Sequence, residues 1–420
     1  MSAPPGTSGI RLEISLTHIS ASARRLRRVL APLAVGALAA LTACGGGEST
    51  PSSDPGASPS AVSADAAQTR MTIQATSPSS FRHPGIFLTQ ARLDAFKAAT
   101  NATNPSVIKI GYQAVLDDPR SESTYQHQAL SNVQVVGSAI GPQEARYKND
   151  AQAAYLNALR WVKTGDTAHR DKAIAILNDW ARTFRTYSVA SGTDSAQVWL
   201  EAAWMLPVWV SAAEIIRHHN NGEAGWSQAD IATFSTFVDR QYSQAQQAKV
   251  RVNNWAVSAG LAMMAAGAYQ DNPSRYAAGL QRVMEMIPLS VFSSGEVNEL
   301  AARDCTHPQY NLEGLAQAAE LEVIQTGDTS VWMYKGSGET TPRLAKGLEY
   351  MAKSLLNGSG VRNCKGQHLE AGYMDIAVNG YMNRGVAIPN FQALAKARRP
   401  DAGSMQFLGF TTATHGRDDY

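Results

Sequence analysis

The chain is expected to fold as an all-α protein, a ring or incomplete barrel of antiparallel helix hairpins around a central cleft. Three observations carry this. Apolar residues recur with helical period over most of residues 153–356, few stretches alternate with strand period, and no repeat of fixed length marks a regular solenoid. Helices with one apolar face each can bury it only by packing into a bundle, a solenoid or a ring. Ala153–Val162 sets Tyr155, Leu156, Leu159 and Val162 on one stripe, and Thr164-Gly165-Asp166 supplies a glycine stop and a cap for the next helix. Lys172–Phe184 repeats the pattern with Ile174, Leu177, Trp180 and Ala181. Further helices are expected at 199–219, 227–247, 254–269, 274–286, 312–325 and 342–356. Short β segments are expected near 131–136 and 405–412. Trp199, Trp204 and Trp209 are five apart, which is not a helical face repeat, so their rings point in different directions; core packing is expected, and at most one or two could stack on sugar.

The first residues speak to compartment. Arg24, Arg25, Arg27 and Arg28 precede an apolar run from Val29 to Leu41, and Leu41-Thr42-Ala43-Cys44 places small residues before a cysteine. This is a secretory signal, too short for a good transmembrane helix. Leu-Thr-Ala-Cys also resembles the lipobox of bacterial lipoproteins, which implies cleavage before Cys44, a lipid on its sulfur and residence in the bacterial cell envelope. Residues 1–43 are then the signal peptide and 44–75 a tether. From Gly45 to Thr69 the composition is mostly Gly, Ser, Pro, Ala and Asp, with no aromatic residue and no large apolar residue beyond Val62 to bury. Residues 76–420 are long enough for a large core.

A net charge of +2 gives no global field for nucleic acid or membrane, so a polyanion would have to be held by a local basic cluster. Of the three cysteines, Cys305 and Cys364 are left after Cys44; an oxidising compartment is compatible with one disulfide between them, and two free buried thiols are the alternative. The histidines show no metal-ligand spacing, the cysteines form no zinc pattern and no glycine-rich nucleotide fingerprint occurs, so no metal or cofactor is expected.

Arg303 and Tyr310 stand seven positions apart, and an Asn253-Asn254 pair lies about fifty residues upstream. A guanidinium beside an amide neutralises a sugar carboxylate. The proton on the neighbouring carbon then becomes more acidic, and a tyrosine near a cation can exist as phenolate long enough to remove it. Pro308 breaks helical continuity after Arg303 and puts Tyr310 at a helix entrance. Lys249 and Arg251, just before the asparagines, are placed to meet a polyanion. Arg120–Tyr147, with Tyr125 and Arg146, is either a flap over the cleft or a plain surface loop.

Several segments resemble the alginate lyase superfamily of polysaccharide lyases. His83-Pro84-Gly85-Ile86-Phe87-Leu88-Thr89 is similar to the opening motif of its domains, and Asn149 through Trp180 to its first core hairpin. Asn253-Asn254-Trp255, Arg303 to Tyr310 and Ala319 through Asp328 extend the likeness over most of residues 80–400. The resemblance implies an (α/α) toroid and a carboxylate clamp formed by Asn254 and Arg303. It also implies that Tyr310 is base and acid, with no cofactor and an anionic polysaccharide as partner. Many members carry a histidine directly after the asparagine; here that position is Trp255.

β-Elimination from a 4-linked uronate needs a base at the C5 proton, a donor for the departing O4 and stabilisation of the enolate-like intermediate. In mannuronate and glucuronate the C5 proton and O4 share a face, so one tyrosine serves both steps; in guluronate they lie on opposite faces. Without a histidine after Asn254, mannuronate-containing alginate or glucuronan is the expected substrate, with His307 the other candidate for a base. Glu296 and Glu299 either orient Arg303 or are the carboxylates of a glycoside hydrolase on the same helical architecture. A polysaccharide-binding lipoprotein without catalysis is a further alternative; it would keep Lys249, Arg251 and Arg303 and not need Tyr310.

Overall fold

The structure is a computed structural model, and it describes residues 77–137, 139–367, 372–401 and 405–420. The expected signal run, Cys44 and the tether lie outside the described residues. The chain divides into Met1–Ser60 and Ala61–Tyr420, and every described element belongs to the second unit.

The described helices are α1 (Gln90–Asn101), α2 (Val107–Asp117), α3 (Pro142–Thr164), α4 (Thr167–Thr183), α5 (Gln197–His218), α6 (Gln228–Ala245) and α7 (Asn254–Tyr269). They continue with α8 (Pro273–Ser290), α9 (His307–Thr326), α10 (Ser330–Met333), α11 (Arg343–Asn357), α12 (Met374–Met382), α13 (Pro389–Arg398) and α14 (Thr411–His415). Local chemistry sets many of the boundaries. Asp166, Ser227 and Asn272 each accept an amide hydrogen bond from the first turn they cap, and Gly165, Gly327 and Gly358 stop α3, α9 and α11 in the left-handed conformation.

Sequential helices pair as hairpins, α3 with α4, α5 with α6 and α7 with α8, while α3, α5, α7 and α9 also pack on one another in succession. The fold is therefore the expected (α/α) toroid, with α3, α5, α7 and α9 as an inner layer and α4, α6 and α8 outside it. Burial follows the layers. Every residue of α7 is buried, whereas α4 and α6 bury a single face. α5 is long and apolar enough to cross a membrane, but nine-tenths of that stretch is buried inside this fold, where it serves as a core helix. α7 and α8 approach closely through facing glycines: a Cβ on Gly279 would lie 2.6 Å from the carbonyl oxygen of Gly260.

A strand appears at β1 (Asn132–Val135), as expected, and pairs in parallel with β2 (Thr186–Val189), which the sequence did not reveal. The other expected strand, 405–412, is not one: it is a bend leading into α14. Side chains satisfy its backbone in place of a neighbouring strand. Gln152 and Gln317 donate to the carbonyls of Phe407 and Leu408, and the buried Asp401 carboxylate accepts the amides of Thr411 and Thr412. The segment around Tyr125 is not a free flap: the Tyr125 hydroxyl and the Gln128 amide both donate to the carboxylate of Asp150 on α3.

The segment before α1 ties the inner layer together. Gly85 N donates to Glu214 on α5 at 2.9 Å, and the Gln325 side chain on α9 accepts from Arg82 N and donates to the carbonyl of Gly85. His83 lies between two carboxylates, Nδ1 at 3.1 Å from Glu214 and Nε2 at 3.0 Å from Asp271. Burial disfavours its charge, but these hydrogen bonds and the charges of Glu214 and Asp271 outweigh it and push its pKa up to about 9. Cys305 and Cys364 are joined as a disulfide, which settles the alternative left open by the sequence.

Because the folded pKa of His83 is raised, its stabilisation is complete below the unfolded value near 6.5 and is lost as pH rises through about 9. Thermal midpoints of the parent and of His83→Gln should therefore differ most near pH 6 and converge towards pH 10. A gap that stays constant with pH would remove the charged clasp from the account.

Candidate active site

The loop from 291 to 306 and the N-termini of α7 and α9 meet at one carboxylate. Glu299 adopts a positive φ of 73°, a conformation costly for a residue with a Cβ and maintained by what the side chain holds. Its Oε2 accepts from Asn254 Nδ2 at 2.9 Å and Asn311 Nδ2 at 3.2 Å, and its Oε1 accepts from Arg303 Nη1 at 2.9 Å. Asn311 is fixed in turn by the hydroxyl of Ser290 at the end of α8. One carboxylate thus joins three inner or loop elements.

Asn253 caps α7, its side-chain oxygen accepting the amide of Trp255. The cap turns Asn254 inward, where it is fully buried and its Oδ1 has no hydrogen-bond partner among the described residues. A buried amide oxygen without a donor is costly unless something fills the position. Arg303 forms the outer part of the cluster and is 46% exposed, with Nε 3.8 Å from Asp304. Asp304 also accepts the amides of Thr306 and His307, and His307 Nδ1 at 2.7 Å. Burial would raise the Asp304 carboxyl, yet these donors and the nearby imidazole keep it below the ordinary range. His307 stands edge-on to Tyr310 at 5.6 Å, and Tyr310 packs against Trp204 at 5.4 Å. Arg303, His307 and Tyr310 therefore follow one another inward from the exposed loop to the buried first turn of α9.

The disulfide braces this loop, since Cys305 sits between Arg303 and His307. Arg362, beside the partner cysteine, donates to the carbonyls of Leu300 and Ala301. Glu296 belongs to the same loop, whose first part closes as a bridge between Val291 and Val297; no bond joins its carboxylate to Glu299's partners among the described residues.

Other expected residues fall around this cluster or away from it. Trp255 packs with Ala196, Leu200, Ala248 and Ala259 and is covered by the Arg251 guanidinium at 4.9 Å. The position after Asn254 is thus structural. Arg251 also reaches Asp194 at 3.5 Å, and Lys249 is exposed on the turn Gln246–Val250 just before it. Tyr125 and Arg146 are not brought here. They line a separate groove with His127 and Asn149, because Arg146 lies two residues, about 200° of helix, from Lys148 on the cluster side of α3. Of the three tryptophans, Trp209 is wholly in the core, Trp199 is partly buried beside Trp255, and only Trp204 touches Tyr310.

The sequence reading missed Lys148 and Glu201. Both are buried, paired at 2.8 Å, and the ammonium lies 5.0 Å over the Trp204 ring that carries Tyr310. Burial pushes the Glu201 carboxyl up to about 7 against the opposing pull of Lys148. The α3 stripe offered a signal: Lys148 lies one and two turns before Gln152 and Tyr155 on a face that is otherwise buried.

For a metal, the structure does gather His83, Glu214 and His218, with potential ligand atoms within 4.8 Å of one another. The two imidazoles, however, stack at 4.3 Å with planes 15° apart, so an ion in the plane of one ring is out of the plane of the other. Both nitrogens of His83 are already directed at carboxylates. This is a hydrogen-bonded clasp rather than a coordination sphere.

No curated protein matches the sequence significantly. Among solved structures the chain is similar to alginate lyase A1-III from Sphingomonas species A1, with 12% identity, a TM-score of 0.61 and coverage of 80% of this chain and 97% of that one. A variant of that enzyme complexed with a tetrasaccharide aligns with 13% identity and a TM-score of 0.59 over 81% of this chain and 98% of its own. An alginate lyase from Bacteroides ovatus gives 10%, a TM-score of 0.55, and coverage of 79% and 99%. These likenesses establish the fold. The sequence model described as alginate lyase matches residues 89–360, which takes in both asparagines, Arg303 and Tyr310, and the chain therefore belongs to the alginate lyase family and is a polysaccharide lyase.

Proposed function

We propose that the protein cleaves a 4-linked polyuronate, mannuronate-containing alginate or glucuronan, by β-elimination with Tyr310 as base and acid. The observation that carries this reading is the run from Glu299 through Arg303 and His307 to Tyr310, in which a half-exposed guanidinium is followed by a half-buried imidazole standing edge-on to a phenol that is 8% exposed. Arg303 meets the substrate carboxylate directly. Asn254 lies beneath, its Nδ2 on Glu299 and its amide oxygen without a partner among the described residues, and is the second group assigned to the carboxylate clamp. Neutralising the carboxylate favours the enolate-like intermediate formed when the phenolate of Tyr310 takes the C5 proton. Collapse of that intermediate forms the C4–C5 double bond and breaks C4–O4, and the tyrosine returns its proton to the departing oxygen. A phenol is a poor base at neutral pH, where its ordinary pKa is near 10, and the positive charge of Arg303 is what this reading requires to favour phenolate.

Trp255 supports the preference for linkages with the C5 proton and O4 on one face, because the neighbour of Asn254 is an aromatic packed among alanines and offers no second base. The packing of Glu299 argues against a glycoside hydrolase, since its oxygens are held by two amides and a guanidinium and are not placed to protonate a leaving group. We further propose that Cys44 carries a lipid that anchors the enzyme in the bacterial cell envelope, on the strength of Leu41-Thr42-Ala43-Cys44 after an apolar run.

Tyr310→Phe removes only the hydroxyl and should abolish the ultraviolet absorbance of the unsaturated uronate product while leaving polymer affinity near the parental value. Turnover at a substantial fraction of the parental rate would move the base elsewhere, with His307 next. Arg303→Ala should lower kcat by about 10² or more; a near-parental rate on every substrate the parent cleaves would make Arg303 structural. Cys44→Ala should release the protein from the membrane fraction or block its processing, and unchanged membrane association together with an unprocessed parent N-terminus would end the anchor proposal.

A further inference from the structure

A groove of about 450 Å³ lies on the outer layer between the C-terminal end of α4 and the middle of α6, lined by Arg182, Arg185, Thr233, Thr236 and Arg240 over a floor of two alanines. Arg185 and Arg240 each donate Nη1 to the same acceptor, the carbonyl oxygen of Phe184, at 2.9 and 3.3 Å. Arg182 is matched by Asp230 at 2.5 Å. No carboxylate lines the groove, and among the described residues none is paired with Arg185 or Arg240. Phe184 is the C-cap of α4, so cations near its carbonyl are expected from the helix dipole. The dipole accounts for only part of the charge: a helix end carries about −0.5 of an elementary charge, and two guanidiniums leave roughly +1.5 unmatched. Each guanidinium spends one of five N–H donors on Phe184, and the rest of each planar fork is suited to a carboxylate.

We propose that this groove is a second binding site for the anionic polysaccharide, an exosite that holds a stretch of polymer while another stretch occupies the cleft. Its lining suits a sugar chain in three ways. Two cations fixed on one oxygen meet the carboxylates of a uronate chain. The hydroxyls of Thr233 and Thr236 donate to the carbonyls of Ala229 and Ala232, leaving their oxygens to accept from sugar hydroxyls. The alanine floor fits the apolar face of a pyranose ring. The groove belongs to α4 and α6, whereas Asn254, Arg303 and Tyr310 come from α7, α9 and the loop before α9, so the two sites are distinct. α6 runs from the groove into the turn that carries Lys249 and ends at the Asn253 cap, linking the groove to the cluster through one continuous segment.

The proposal rests on the polyuronate reading, and two readouts separate them. Arg185→Ala/Arg240→Ala alters exposed or half-exposed side chains, and Lys97→Ala/Lys353→Ala is a control with the same loss of charge elsewhere. On long polymannuronate the groove variant should show KM raised about tenfold, kcat unchanged, and both parameters parental on a tetrasaccharide that fills only the cleft. In gels cast with polymannuronate or glucuronan, migration of the parent should be retarded and the groove variant released, a result that does not depend on turnover. An unchanged polymer KM, an equal rise on polymer and tetrasaccharide, or the same effect in the lysine control would overturn the exosite. So would binding of the parent, lost in the groove variant, to phosphatidylglycerol vesicles without any retardation by polysaccharide, which would make the groove a lipid-headgroup site.

Discussion

The carboxylate of Glu299 is the interaction on which the rest of the cluster depends. It sits at a strained backbone position and accepts from Asn254 at the start of α7, Asn311 in α9 and Arg303 in the preceding loop. A largely covered acid without donors would be disfavoured, and the buried amides of Asn254 and Asn311 without this acid would be left unsatisfied, so each part supports the placement of the other. The same bond that orients Arg303 also draws on its charge. The guanidinium must be held firmly enough to be placed and loosely enough to serve a substrate, and its half-exposed position, with one Nη on Glu299, satisfies both needs.

The toroid supplies the frame for that balance. α7 is buried along its whole length and approaches α8 through facing glycines, so its N-terminus has little freedom. The loop that carries Arg303 lacks a helix of its own and is fixed instead by the disulfide, by Arg362 on two carbonyls and by the cluster around Glu299. Rigid helices thus position Asn254 and Tyr310, while cross-links position Arg303. The clasp of His83 with Glu214 and Asp271, together with Gln325, joins the inner helices at the segment before α1.

Legibility in the sequence depended on whether the deciding information is local. α7 was legible to the residue because Asn253 caps it and Tyr269 ends its apolar run, and the inner-layer hairpins were legible because their stripes are long. The start of α3 was not, since Glu144, Lys148 and Gln152 are polar residues buried by partners distant in sequence. β2 escaped because a short, partly exposed strand is defined only by its pairing with β1. Residues 405–412 read as a strand because their carbonyls and amides are satisfied by Gln152, Gln317 and Asp401, which no local pattern announces. Within the site, Asn254, Arg303 and Tyr310 came from their residue chemistry together with the family likeness, whereas cysteine parity allowed the disulfide without deciding it, because a separation of 59 residues says nothing about distance in space. Lys148 and the misplaced Arg146 show the limit: they are two residues apart and point to different sides of α3.

The most direct test of the central claim is a double-mutant cycle between Glu299→Gln and Arg303→Lys, read as kcat/KM on the polymer with folding checked by circular dichroism. Glutamine keeps the size of Glu299 and removes its charge, and lysine keeps the charge of Arg303 and removes the planar fork. If Glu299 acts by placing Arg303, the losses are strongly non-additive and the double variant is little worse than the poorer single variant. Losses that add across the two positions would show that Glu299 and Arg303 act independently and would contradict the account.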